Sequence, residues 1–148
     1  MSAKDGFETS LLQHIFQNTA ITLIGDAAGL LPSAAAGSLW VSLYTITPSD
    51  SAPGTECDYA GYLRVATTRA SGTGGWTVSG NNASNTSAIT FPQCVSGTTD
   101  TAVAFAINTA SSVGGNDAIL WGALSSNLDI SVGVTPEFAI GDLDVNCD

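Results

Sequence analysis

The sequence predicts a mainly β protein, an antiparallel, jelly-roll-like β-sandwich with one α-helix at its N-terminus. Three observations carry that expectation. The apolar periodicity switches from helical to alternating after Ser38, the alternating runs are short, and Gly, Asn, Pro or Ser separates each from the next at the close spacing of sandwiches and barrels. A chain of 148 residues can bury a core without covalent staples. Residues 1–148 are therefore expected to form a single domain, with the helix over about 5–22, a Gly/Ala-rich connection over 23–38 and the sandwich over 39–146.

Phe7, Leu11, Leu12, Ile15 and Phe16 repeat at the spacing of one helical stripe, and Asp5 with Glu8 has the pattern of a capping box ahead of it. A stripe of this width usually faces a core, so the helix is expected to cover an open end of the sandwich in preference to docking on a neighbour. It should end before Gly25, where Gly25, Gly29, Pro32 and Gly37 break the pattern. From there LWVSLYTI sets Leu39, Val41 and Leu43 on one face and Trp40, Ser42, Tyr44 and Ile46 on the other. TPSDSAPGTECD is turn-rich. GYLRVATT, GWTVSG, ASNTSAITF, TAVAFAI, AILWGAL, LDISV and PEFAIGDLDV each form a further β-rich run, for roughly eight strands in all.

Between Ala70 and Thr99 there is no Asp, Glu, Lys, Arg or His. Alternating Thr, Ser and Asn can hydrate the outer face of a sheet without charge while Val78, Ile89 and Phe91 turn inward. An uncharged edge also invites another chain, so docking or self-association is expected here. The residues expected at such an interface are Trp76, Asn81, Asn82 and Asn85, with Arg64 and Arg69 just before the stretch.

Thirteen acids against Lys4, Arg64 and Arg69 give a formal net charge of -10. With so few cations to displace counterions from phosphates, neither nucleic acid nor an anionic membrane is an expected partner. A protein, a sugar or a surface offering basic groups is. Charged residues make up 11% of the chain, under half the usual quarter or so, so the surface must be mostly neutral and polar. Arg64 and Arg69 bracket one β-rich run, and each is expected to pair with an acid, within the subunit or across an interface. MSAKDGFETS shows no signal-peptide core, and no apolar run reaches the roughly 18 residues of a bilayer span, which predicts folding in a cytoplasm. There Cys57, Cys94 and Cys147, odd in number and spaced like no zinc motif, are expected to be buried or idle thiols.

Catalysis has few footholds. Ser-His-Asp or Cys-His chemistry requires a histidine, and His14 borders the helical stripe as a residue with one nitrogen in solvent. Asp142 and Asp144 share one face of an expected terminal strand, with Asp148 following. Such a set suits a hard cation or glycoside hydrolysis, but its oxygen ligands are too sparse for a calcium loop, and it reads as a solvated acidic tail. Trp40, Trp76 and Trp121, extended by Tyr44, Tyr59 and Tyr62, would make a sugar-stacking platform, although tryptophan in a sandwich more often belongs to core or interface. GTGGW lacks the lysine and following helix of a phosphate cradle and is a turn. No catalytic residue, metal or cofactor is expected.

In order along the chain, LLQHIFQNTA, LWVSLYTITPSD, GYLRVA, GWTVSGNNASNTSAITFP, ILWGAL and GVTPEFAIGDLDV resemble a family of small tailed-bacteriophage virion proteins, often labelled tail fibre or hypothetical protein. The resemblance runs from about residue 7 to 145 and departs from the family pattern at Leu63 and in the NCD terminus. It implies a virion structural protein and brings no functional residues with it. The absence of a long repetitive shaft favours the head over the tail. The expectation is a capsid decoration (cement) protein, a homotrimer bound to the major capsid protein on the head exterior, assembled in the bacterial host cytoplasm and bracing the shell through many modest contacts. The alternative is a tail fibre or spike subunit, an adhesin that binds host-surface glycans or proteins.

Overall fold

The computed structural model describes residues 3–147. They form one helix, α1 (Asp5–Gln17), and ten strands: β1 (Ser38–Ile46), β2 (Thr55–Glu56), β3 (Val65–Thr68), β4 (Trp76–Ser79), β5 (Asn82–Asn85), β6 (Ile89–Thr90), β7 (Asp100–Asn108), β8 (Ala118–Ile130), β9 (Glu137–Phe138) and β10 (Asp144–Asn146). The mainly β, antiparallel class with an N-terminal helix is the one the sequence predicts, with its strands distributed over three sheets. β2-β1-β7-β8 form one, with β3 also on β1; β10-β5-β4 form the second and β6-β9 the third. The chain divides into two compact units, one from the described residues of Met1–Ser38, Thr67–Ala88 and Phe138–Asp148, the other from Leu39–Ala66 and Ile89–Glu137.

In the first unit α1 buries Glu8, Leu12 and Phe16, one residue per turn of a single face. Phe7, expected on the buried stripe, is exposed, and Glu8 takes the inner position instead. The expected capping box is absent: Lys4 is the N-cap and makes no side-chain cap bond, which leaves Asp5 and Glu8 inside the first turn, where their charge complements the helix dipole. The helix also stops five residues short of the expected end. Asn18 adopts the left-handed conformation (φ 54°, ψ 40°) and its N–H bonds the Gln13 carbonyl, while its side chain exchanges two 2.9 Å hydrogen bonds with the backbone of Ser33. The connection beyond is ordered by Ile21 pairing with Leu30 and by Asp26 accepting from the N–H groups of Ala28 and Gly29. Only glycine fits at Gly29, since a Cβ there would lie 2.0 Å from the Ile21 carbonyl oxygen.

The helix is fastened to the β4–β5 hairpin at both ends. Phe16 packs on the fully buried Trp76 with ring centroids 4.5 Å apart, Gln17 Nε2 donates to the Trp76 carbonyl at 2.9 Å, and Thr9 Oγ1 donates to the Gly80 carbonyl at 2.8 Å. Trp76 Nε1 in turn donates to Thr67 Oγ1, so no polar edge of the indole is left unsatisfied. Arg69 closes the C-terminal end. Its Nε and Nη2 donate to the carbonyls of Ile15 and His14, both at 2.7 Å, and Nη1 to Ala36 and Ser33. A cation here satisfies carbonyls that a helix end leaves without partners and complements the negative end of the dipole. The expectation that Arg69 pairs with an acid is corrected: backbone carbonyls take its place.

The second unit is built on β1, whose Val41, Ser42, Leu43 and Tyr44 are all buried. Burial of consecutive residues means that both faces of the strand are covered at its middle, so alternation fades there. The register pairs Val41 with Ile107, Leu43 with Phe105 and Tyr44 with Ala104. Ser42 is tolerated because Asn108 Nδ2 donates to its hydroxyl at 2.6 Å. AILWGAL and LDISV, expected as two strands, are one, β8, with irregular pairing to β7 at each end of its central segment.

Replacing Arg69 by Lys removes the planar fork that reaches four acceptors. Arg69→Lys is expected to cost about 1–2 kcal/mol and to lower the melting temperature by about 3–6 °C, read by circular dichroism; an unchanged melting temperature would show that the helix end does not depend on the fork.

Candidate functional site

Arg64 occupies the interior of the second unit with 4% of its surface exposed, and all five of its N–H bonds have acceptors. Nε and Nη2 form a bidentate pair with Glu56 at 2.8 and 2.9 Å. Nη1 donates to Asp117 Oδ1 at 2.8 Å and to the Ala110 carbonyl at 2.7 Å, and Nη2 reaches the Gly115 carbonyl at 3.3 Å. The acids are themselves anchored. Glu56 Oε1 accepts from the Tyr62 hydroxyl, whose oxygen accepts from Leu43 N–H, and Glu56 Oε2 accepts from Gly114 N–H. Asp117 Oδ2 accepts from Ala110 N–H at 2.6 Å. This cluster ties β1, β2 and the β7–β8 connection to one guanidinium. Burial alone would lower the pKa of Arg64, but Glu56 and Asp117 hold it above its ordinary value. Burial is likewise the largest influence on the Asp117 carboxyl and acts to raise it, but the bond and charge of Arg64 and the backbone N–H of Ala110 together outweigh it and hold that carboxyl low. Every member is fixed by another, which is the arrangement of a structural cluster.

Beside it lies an aromatic and thiol pack. Tyr59 and Tyr62 meet edge to face at 5.2 Å, Tyr62 stacks on Phe91 at 6.2 Å, and the Tyr59 hydroxyl donates to the Pro92 carbonyl. Asp100 Oδ2 accepts from the N–H groups of Asp58 and Tyr59 and fixes the turn. Cys57 is buried here, and burial, with Asp100 next, pushes its thiol up to about 12. Cys94 is buried and Cys147 half-buried, all three being free thiols.

The residues expected at an interface separate into two sets. Trp76, Asn85 and Arg64 are enclosed by the chain, where each satisfies polar or apolar groups of its own unit. Asn85, for example, donates to Ser87 and Ala139 carbonyls and accepts from Leu143 N–H. Arg69 is partly buried at the helix end, whereas Asn81 is exposed and Asn82 partly so. The expected sugar platform does not assemble, since Tyr44, Tyr59, Tyr62 and Trp76 all lie in the interior. Of the tryptophans Trp121 is exposed and Trp40 half-buried. Asp142 sits in a turn, its N–H on the Ala139 carbonyl, and so does not share a strand face with Asp144; Asp148 lies outside the described residues. His14 is half-buried with Nδ1 2.8 Å from the Thr19 carbonyl. Among the described residues no group of three His, Cys, Asp or Glu is arranged to hold a metal.

What the charge-free stretch builds is a polar array on the outer face of β10-β5-β4. The register aligns Thr77, Ser84 and Asp144 in one row and Ser79, Asn82 and Asn146 in the next. Asn82 Nδ2 joins Asp144 and Asn146 across the strands at 3.2 and 3.1 Å. The inner residues of the same strands, Trp76, Ala83, Asn85 and Val145, are buried. Short hydroxyls and amides in two rows offer donors and acceptors to a neutral polar partner with only one charge among six side chains.

The comparison with protein families decides the identity. Residues 2–146 match the family described as Podophage GP4 fiber I protein gp80. The chain belongs to that family. It is thus a phage virion structural protein, and its description is that of a fibre. No curated protein matches the chain. In each unit one arginine serves as an internal brace, Arg69 at the helix end of the first and Arg64 in the interior of the second.

Two outcomes check this account. Arg64→Met is expected to destabilise the protein by about 3–5 kcal/mol, because it leaves the Glu56 carboxylate buried without its partner; adding Glu56→Gln should recover part of that loss in denaturant unfolding, and a strictly additive double variant would dissolve the cluster. At pH 8 the native protein should titrate one thiol with a disulfide reagent, Cys147, and three only after unfolding; rapid labelling of Cys57 would contradict its enclosure.

Proposed function

We propose that this chain is a non-enzymatic subunit of a podophage tail fibre that contributes to contact with the host surface. The full-length match to a fibre family carries the reading. Supporting it, the side chains with the greatest chemical potential, Arg64, Glu56, Asp117 and Cys57, are bound into the interior, while the outward array of Thr77, Ser79, Asn82, Ser84, Asp144 and Asn146 suits hydrogen bonding to the hydroxyls and amides of a host glycan or protein. The head-exterior position, with the major capsid protein as partner, rests on size and charge alone and has no further observation in its favour.

Immunogold electron microscopy of intact virions, with an antibody to this chain, tests the location. Gold on the tail fibres is the expected result. Gold spread over the heads would overturn the reading and restore the decoration protein.

A further inference from the structure

β8 is the margin of the second unit's sheet, and the outer edge of its regular segment, Leu120–Ala123, lacks the usual protection. Edge strands are normally guarded by charges, proline, bulges or brevity, and here the irregular pairing lies only on either side of that segment. β8 runs for 13 residues, and from Ala118 to Leu128 it contains no charged residue and no proline. The acids at its two ends are turned to their own sheet, Asp117 onto Arg64 and Asp129 onto Thr101 Oγ1 at 2.7 Å. Its side chains are incompletely covered on both faces, with Ile119 41% and Trp121 38% exposed. Gly122 completes the pattern, because the Phe105 ring of β7 lies 3.0 Å from where its Cβ would be and stiffens a position that glycine would otherwise loosen.

We propose that this edge pairs with the same edge of a second copy of the chain, antiparallel about a two-fold axis at Gly122. Three considerations select that occupant. Copies that each carry a net charge of -10 repel one another, so the surface through which they meet must be one without acids. The opposite margin of the sheet is divided between β2, of two residues with Glu56 engaged by Arg64, and β3, of four residues, so it offers no single edge to receive a strand of this length in a head-to-tail ring. The segment is also self-complementary. Its regular part, Leu120–Ala123, is bounded by irregular pairing on either side, and an axis at Gly122 sets Leu120 opposite Leu124 and Trp121 opposite Ala123, apolar against apolar on each face. An axis at Ala123 would instead set Asp117 opposite Asp129. This interface gives the fibre-subunit reading a specific contact between copies, and it stands or falls independently of where on the virion the protein lies.

The pairing covers a short segment, below the roughly 1,200 Å² of stable complexes, so association in isolation is weak and is reinforced only where many copies are held together. The test uses the full chain under reducing conditions, with sedimentation velocity over roughly two orders of magnitude in concentration. A monomer–dimer equilibrium that tightens as salt rises is expected, because salt screens the repulsion between acidic copies. Ala123→Lys, at an exposed position, should weaken the dimer by at least about tenfold with an unchanged circular dichroism spectrum and melting temperature. In a Cys147→Ser background the double variant Trp121→Cys/Ala123→Cys should oxidise to a covalent dimer and each single variant should not. A chain that stays monomeric throughout, or a dimer indifferent to Ala123→Lys, would overturn the interface while leaving family membership untouched; crosslinking by Trp121→Cys alone would overturn the axis at Gly122.

Discussion

The guanidinium of Arg64 is the constraint on which the second unit depends. A buried cation is costly unless both its charge and its donors are matched, and here a bidentate carboxylate, a second carboxylate and two carbonyls match all five N–H bonds. Those acceptors come from β2 and from the β7–β8 connection. Irregular segments with little apolar content to bury are thus located by charge-assisted hydrogen bonds of fixed geometry, which discriminate between conformations more sharply than apolar contact does. The same bonds turn Asp117 inward, and that leaves the outer edge of β8 without a guard.

The first unit solves a similar problem with its own arginine and without an acid. Arg69 closes the helix on carbonyls, so the end of α1, the connection around Ala36 and the strand leading to the hairpin are held by one side chain. Both arginines of the chain therefore act within their own units, and among the described residues both ion pairs belong to Arg64. The remaining acids are left to give the surface its negative charge. That distribution suits a virion protein of the fibre family: each unit is braced from inside, long-range repulsion limits indiscriminate aggregation, and the sparsely charged β10-β5-β4 array and β8 edge are the surfaces on which the proposed contacts rest.

Strand class, helix position and the charge-free face were readable from the sequence because each depends on local periodicity. Alternation identified β1, β4 and β7, and the stripe through Leu12 and Phe16 identified α1. Periodicity failed where a neighbour in space decided the outcome. Asn18 ends the helix because Ser33 is there to receive its side chain; Phe7 is exposed because the buried face is centred one residue further on, at Glu8; β1 loses alternation because both of its faces are covered at its middle. The candidate site was legible only in part. Asn82 belongs to a surface array, but Trp76, Asn85 and Arg64 are interior, and residue type cannot distinguish an indole or guanidinium offered to a partner from one enclosed by its own chain.

By itself the sequence determined the mainly β class, the strong negative charge, the shortage of cations and the run of hydroxyls and amides that hydrates a sheet without ionising. Those are properties of composition and of short-range pattern, and they survive any arrangement of the strands. Only the tertiary structure decided which acids Arg64 would bind, that Arg69 would cap a helix rather than pair with a carboxylate, and that β8 would lie at a sheet margin with its flanking acids turned away. Those outcomes depend on residues such as Arg64 and Asp117, or Arg69 and Ile15, more than fifty positions apart, being brought within about 3 Å, the distance at which a hydrogen bond forms, and no local signal in the chain records that approach.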